Sequence, residues 1–188
     1  MKQLPVFSIF LIVVMYRVVT ADFGAAHWWL LNFCPMAALA LWCPRVFSHK
    51  TGLLLPLAAL LVSDVYLDAH FGAPLFWWAM LPRYGALVIV ACIGMWLQRA
   101  SHAAVLLTAS IAGSSIYYGI TNTAAWIADP GYARTFSGWI QALTVGLPGY
   151  PPTWLFFRNA VISDLCLTAA FLFCMAAAEM AIWTSAPE

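Results

Sequence analysis

The sequence predicts an all-α fold: a polytopic membrane bundle of six transmembrane helices, forming a single integral membrane domain over residues 1–188. Three observations lead there. Of 188 residues, 64% are hydrophobic and only 8% charged, and the mean hydropathy is +0.88, whereas a soluble domain is about 45–50% apolar and about 25% charged. The apolar residues fall into six runs separated by helix breakers, and at about 20 residues per span the length has room for five to seven crossings. Aromatic residues make up 15% of the chain, with 10 Trp, as expected of spans edged by interfacial belts. This composition excludes an ordinary soluble domain, a disordered tail and a nucleic-acid binder with a basic surface. The net charge of +1 recruits no anionic partner.

The first run covers about Leu4–Thr20. Lys2 before it, and Val19-Thr20-Ala21 after it, mimic a signal peptide, but Arg17 interrupts the approach to that site and further spans follow, so a retained span is expected. The second run, about Trp28–Phe47, has Pro35 near its start and Pro44 near its end. The third, about Leu53–Asp68, is short like the second, which allows tilt or partial insertion. The fourth covers about Leu81–Gln98, the fifth about His102–Trp126 and the sixth about Trp154–Trp183.

The longest connection, Ala128 to Thr153, holds Pro130, Gly131, Gly146, Pro148, Gly149, Pro151 and Pro152. A short helix is expected within it over Thr135–Val145, on the surface or re-entering the membrane, and loops of this length tend to be functional. Cys34, Cys43, Cys92, Cys166 and Cys174 form no CxxC and fall mostly inside apolar runs. They read as buried thiols, indicating neither a disulfide framework nor a zinc site.

With six spans, Lys2, Arg45, Lys50 and Arg99 share one side with both termini, against Arg83 and Arg134 opposite and Arg17 near a membrane edge. The bias places both termini in the cytoplasm. The loops after the first, third and fifth spans then face outward with Asp22, His27, Asp68, His70, Asp129 and Tyr132, so polar chemistry concentrates on the outer side.

Charges inside spans cost about 2.5–3.5 kcal/mol each on insertion scales and therefore need partners. In LLLPLAALLVSDVYLDAH, Asp64 and Asp68 are four apart on one helix face, with Asp64 about 6 Å deeper, and His70 stands at the helix mouth. WLFFRNAVISDLCL places Arg158, Asn159, Ser163 and Asp164 within two turns, and Asn159 shares a face with Ser163. The expected couples join Asp64 or Asp164 to Arg158 or Arg17, either to fix helix register or to bind substrate. In ASIAGSSIYYGITNTAAW, Ser110 and Ser114 flank Gly113 in a small-xxx-small pattern that suits close helix packing. Tyr118, Asn122 and Trp126 then share the outer face, which reads as a ligand surface or as an aromatic belt. Asn32 opens the second run as a cap before Pro35, or projects into an outer cavity. No HExxH or GxSxG occurs, and Asp64, Asp68 and His70 have no established metal-ligand spacing, so no metal or other cofactor is expected.

The segments NFCPMAALALW, PLAALLVSDVYLDAH, GSSIYYGITNTAAWIADPGY and FFRNAVISDLCLTAAF, in that order, resemble an uncharacterised bacterial six-span membrane family catalogued as a domain of unknown function. That family in turn is similar to the substrate-binding S components of energy-coupling factor (ECF) vitamin transporters. The resemblance implies a bacterial inner-membrane protein with cytoplasmic termini and an outward-opening pocket, lined by the last three spans and closed by the loops after spans one, three and five. Carried over by position, its pocket residues are Asn32, Asp64, Asp68, His70, Asn122, Trp126, Tyr132, Arg158, Asn159 and Asp164. Two features depart from the S components. The first span, FSIFLIVVMYRVV, lacks the AxxxA pattern through which they dock on their energising partner, and no vitamin-specific signature is present.

The expected function is therefore uptake of a small, vitamin- or cofactor-precursor-like molecule, alone or as the substrate-binding subunit of a transporter with an energising ATPase and transmembrane module. Trp126 would stack on the substrate, Asn122 and Asn159 would orient it, and the Gly/Pro-rich connection would act as a lid. The alternatives are a non-transporting accessory subunit of a membrane complex, whose ion pairs serve assembly, and a membrane-embedded enzyme using Asp64, Asp68 and His70.

Overall fold

The structure, a computed structural model, describes residues 4–24, 32–33, 35–72, 78, 80–100 and 102–185. Expectations for Lys2, His27 and Cys34 lie outside the described residues. Within those described, the chain is helical throughout: α1 Leu4–Gly24, α2 Met36–Val46, α3 His49–His70, α4 Met80–Trp96, α5 Ala103–Ala128, α6 Phe136–Leu143 and α7 Thr153–Ser185. Each of the six apolar runs carries a helix, and the short helix expected in the long connection is α6. Three stretches are long and apolar enough to cross a membrane: His49–His70, Ala103–Ala128 and Thr153–Ala177. Phe10–Ala21, Met36–Val46 and Met80–Trp96 are apolar but shorter.

One boundary moves for a local reason. α3 begins at His49 rather than Leu53 because the Ser48 hydroxyl caps it, accepting from the Thr51 amide at 3.3 Å. The expected start of the second run at Trp28 lies outside the described residues, and its helix there begins at Met36.

α2 is the centre of the bundle. Every residue from Met36 to Pro44 is buried, and the helix packs against α3, α4, α5 and α7, while α1 lies on α3. A helix that is apolar all round belongs in a core, and MAALALWCP has no polar face to expose. Neighbouring helices come close through glycine: a Cβ on Gly52 would lie 2.5 Å from Pro44 Cα, and one on Gly94 would lie 2.4 Å from the Leu41 carbonyl oxygen. Trp42 is fully buried, stacked on Phe171 with ring centroids 5.0 Å apart, and its indole N–H donates to Thr168 Oγ1 at 3.2 Å. Thr168 in turn donates to Ser110 Oγ at 3.1 Å.

At the far end of α2, the Arg45 guanidinium donates to the carbonyls of Leu97 and Ala100 just beyond α4, and lies 5.2 Å over the Trp42 ring. A cation there answers the negative end of the α4 dipole. Arg45, Lys50 and Arg99 thus gather at one end of the bundle, as their loop positions imply.

α2 has 11 residues, which is about 16 Å of helix, half of a hydrocarbon core of about 30 Å. Its N-terminus therefore stops partway along its neighbours, and among the described residues no helix continues beyond it.

The glycine contacts make a paired prediction. Gly94→Ala forces a methyl group into the α2 backbone and should cost about 1–3 kcal/mol of stability. Gly85→Ala, on the same helix with nothing within 4 Å of its added carbon, should be neutral. Thermal unfolding of the two purified variants in detergent, side by side with the parent, checks this.

Candidate functional site

Above the N-terminus of α2 lies a cavity of about 450 Å³. Its floor is Met36 and Ala37, the first turn of α2. One wall is α5, with Ser114, Tyr117, Tyr118, Thr121 and Asn122; another is α7, with Thr153, Phe156, Ala160 and Asp164. Arg17 from α1, Arg83 from α4 and Asn32 complete it.

The floor has a specific electrostatic construction. The first amides of a helix lack intrahelical acceptors and carry the positive end of its dipole. Pro35, the residue at the α2 cap position, supplies no side-chain acceptor. Asp164 supplies it from α7: one carboxylate oxygen accepts from the Ala38 amide at 2.8 Å, the other from the Ser114 hydroxyl at 2.6 Å. Asp164 is 1% exposed and lies eleven residues into α7, about 16 Å along its axis. Asn32 does not serve as the cap. It sits in the left-handed region at φ 56°, which Asn tolerates, lines the cavity and donates to the Phe156 carbonyl at 3.4 Å.

A second carboxylate stands behind the wall. Asp64, also 1% exposed, pairs with Arg17 at 2.9 Å and with Arg83 at 3.6 Å. Arg17 Nη1 also donates to Ser63 Oγ at 2.6 Å, and the Tyr84 hydroxyl donates to Asp64 at 3.4 Å. Ser63 and Asp64 are thus tied to Arg17 across the α1–α3 interface. Arg83 is less well placed. Its Nε and Nη2 are enclosed and meet no hydrogen-bond partner among the described residues, a cost of about 1–3 kcal/mol per unmet group, and more where the group is charged.

The expected ion pairs are met in part. Arg17 with Asp64 is present. Asp164 instead takes the two neutral donors, and Arg158 turns to its neighbour, donating to Asn159 Oδ1 from Nε at 3.3 Å and Nη2 at 3.1 Å while lying 5.5 Å over the Trp154 ring. Arg83 stands in the second cationic position. Read as a loop charge for orientation, it falls inside the fourth apolar run, and that is the signal that marks it as a span residue.

Of the other expected site residues, Asn122 lines the cavity and donates to the Tyr118 carbonyl at 3.0 Å. Asn159 is 2% exposed on α7. Asp68 lies one turn beyond Asp64, and the exposed His70 ring stacks on Tyr66 with centroids 5.9 Å apart. No three His, Cys, Asp or Glu side chains converge into a metal-ligand set among the described residues.

Trp126 and Tyr132 belong to the cover over the C-terminal end of α5. The Trp126 indole donates to the Ala133 carbonyl at 2.8 Å, the Tyr118 hydroxyl to the Leu143 carbonyl at 2.8 Å, and the Trp139 indole to Thr123 Oγ1 at 3.0 Å. Tyr132 is buried, and that burial, then the neighbouring Asp129 carboxylate, push its phenol above the usual range. α6 is capped by Thr135, whose hydroxyl accepts from the Gly138 amide at 3.2 Å. A Cβ on Gly138 would lie 2.0 Å from the Ala133 carbonyl oxygen, so glycine is required there.

A second cavity, about 480 Å³, lies on the other side of Arg83 and Thr121, which line both; Trp78, Pro82, Ala124, Ala125, Ala128 and Asp129 form the rest of its wall.

Removing the shared carboxylate should be far more damaging than removing either guanidinium. Asp64→Ala leaves two cations uncompensated and should cost about 3–5 kcal/mol, whereas Arg83→Gln leaves the 2.9 Å pair intact. Folded yield by size-exclusion chromatography and thermal unfolding of the two variants provide the comparison.

Comparison with known proteins finds no matching curated protein and no matching solved structure. One family does match, a family of unknown function named DUF6580, and it does so over residues 2–185. The chain belongs to that family.

Proposed function

We propose that this is a six-span protein of the bacterial inner membrane, with both termini cytoplasmic, that binds a small molecule in the cavity above α2 and carries out its uptake. It works alone or as the substrate-binding subunit of a transporter, in the manner of ECF S components. The observation that carries this reading is the cavity itself: about 450 Å³, floored by a helix N-terminus and walled by Arg17, Arg83, Asn122, Thr121 and Tyr118 beside Tyr117 and Phe156. A hollow of that size with a few convergent polar groups in an apolar surround is how small-molecule sites are built, and ionisable groups within membrane spans mark substrate pathways.

Other features support it. A helix that begins partway across the bilayer is the device by which transporters aim backbone N–H groups at a bound solute. The clustering of Arg45, Lys50 and Arg99 at the end opposite the cavity agrees with a cytoplasmic face there and an outward-facing site. In this mechanism solute reaches the cavity from the outer side, aromatic side chains hold its flat or apolar part, and the amide of Asn122 orients its polar end. The α5–α7 connection closes over it.

The competing accessory-subunit reading is favoured by one observation: Asp64 and Asp164 both have complete partners within the chain. The two readings separate experimentally. Mass spectrometry of small molecules co-purifying with the detergent-solubilised protein should find a compound retained by the parent and reduced at least tenfold in Asn122→Ala. It should be absent in Ala160→Phe, which fills the cavity, while both variants purify at parental yield. Identical retention in all three proteins would remove the cavity from consideration as the binding site.

A further inference from the structure

Building on the binding role proposed above, we infer that the bound solute is an organic acid whose carboxylate is gripped by Arg83. The two nitrogens of Arg83 without a partner among the described residues are Nε and Nη2. Those two N–H groups form the side of the guanidinium whose parallel donors match a carboxylate bidentately. Its third nitrogen, Nη1, is the one directed to Asp64. Arg83 thus holds its protein partner by one end and keeps its carboxylate-binding edge unmet.

The competing demand from Asp64 is weak. That carboxylate lies 2.9 Å from Arg17 and 3.6 Å from Arg83, so it remains paired when Arg83 turns to another anion. The Nε–Nη2 edge is itself enclosed, so an anion meets it when the side chain, which is 26% exposed and borders both cavities, turns toward it. An anion entering either one gives the guanidinium a better partner than it has without ligand.

Asp64 is paired by Arg17, and Asp164 is engaged by the Ala38 amide and the Ser114 hydroxyl, so Arg83 is the cation lining the cavity whose own donors are left unmet. The walls set the rest: Met36, Tyr117 and Phe156 offer apolar and flat surface for the body of the molecule, so an inorganic ion would leave most of the cavity unfilled.

The test uses the full chain in lipid nanodiscs and matched probe pairs that differ in charge but hardly in shape. Benzoate, phenylacetate, 4-hydroxybenzoate and hexanoate are each compared with the corresponding carboxamide by saturation-transfer-difference NMR, with Ala160→Phe nanodiscs as the background. The parent should transfer saturation to at least one acid at least fivefold more than to its amide. Arg83→Gln should abolish that preference, and Arg83→Lys, a point charge without the paired donors, should keep part of it. Equal transfer to acids and amides, or an acid preference unchanged in Arg83→Gln, overturns the anion assignment while leaving the cavity as a binding site. No transfer above background to any probe also overturns it, and the binding role is then decided by the co-purification experiment.

Discussion

The structure is organised around the N-terminus of α2, where a helix buried from Met36 to Pro44 ends against a carboxylate from α7. The amides of that first turn would otherwise face hydrocarbon or an apolar core, where each unmet donor costs about 1–3 kcal/mol. Asp164 removes this cost from a distance of 126 residues in sequence, and Ser114 ties the same carboxylate to α5. One side chain therefore fixes α2, α5 and α7 relative to one another at a common depth. The cavity is the complement of this arrangement: beyond the first turn of α2 the described residues supply the surrounding helices but no inner one.

The two buried carboxylates are used differently. Asp164 meets neutral donors and a helix dipole, an arrangement that locks a junction and leaves no charged partner to be displaced. Asp64 meets two guanidiniums at unequal distance, so one partner is superfluous to its neutralisation. Replacing a well-packed buried pair by apolar residues is often neutral or stabilising, so a two-arginine cluster is a poor device for stability alone. Under the binding role proposed above, that asymmetry would make Arg83 rather than Arg17 the group that meets a solute.

Most of the secondary structure was legible in the apolar runs and breakers, because hydrocarbon-length helices leave a one-dimensional trace in composition. α6 could be read from the breakers on either side of it. The cost of unpaired charge in an apolar run led to four candidate couples, of which Arg17–Asp64 is the one that forms. The role of Arg83 was not legible, since a residue two positions after the start of a run looks like a loop charge until the helix is seen to begin at Met80. The partner of Asp164 was also hidden: charge bookkeeping searches among arginines, whereas the partner is a backbone amide of α2, which carries no sequence signal. The same blindness applies to Trp126. Its four-residue spacing from Asn122 correctly places both on one face, yet Trp126 lies far enough along α5 to bond the Ala133 carbonyl of the cover, while Asn122, one turn earlier, lines the cavity.

The routes into the cavity differ in what must break. Over the C-terminal end of α5, the cover is held by the hydroxyl of Tyr118 and the indoles of Trp126 and Trp139. At about 0.5–1.5 kcal/mol net for each hydrogen bond, and with packing around the buried Tyr132 added, lifting this segment is a concerted event. On the side of α4 and α5, the boundary with the second cavity consists of Arg83 and Thr121. Arg83 is held there by one 3.6 Å ion pair to a carboxylate already matched by Arg17, so its displacement leaves that carboxylate paired. The residue that closes this passage is thus the one whose position is least favourable without an anion. In the binding role proposed above, recognition of a carboxylate and opening of the wall between the cavities would be one motion of a single side chain, driven by the difference between the partner Arg83 has and the partner a solute would supply.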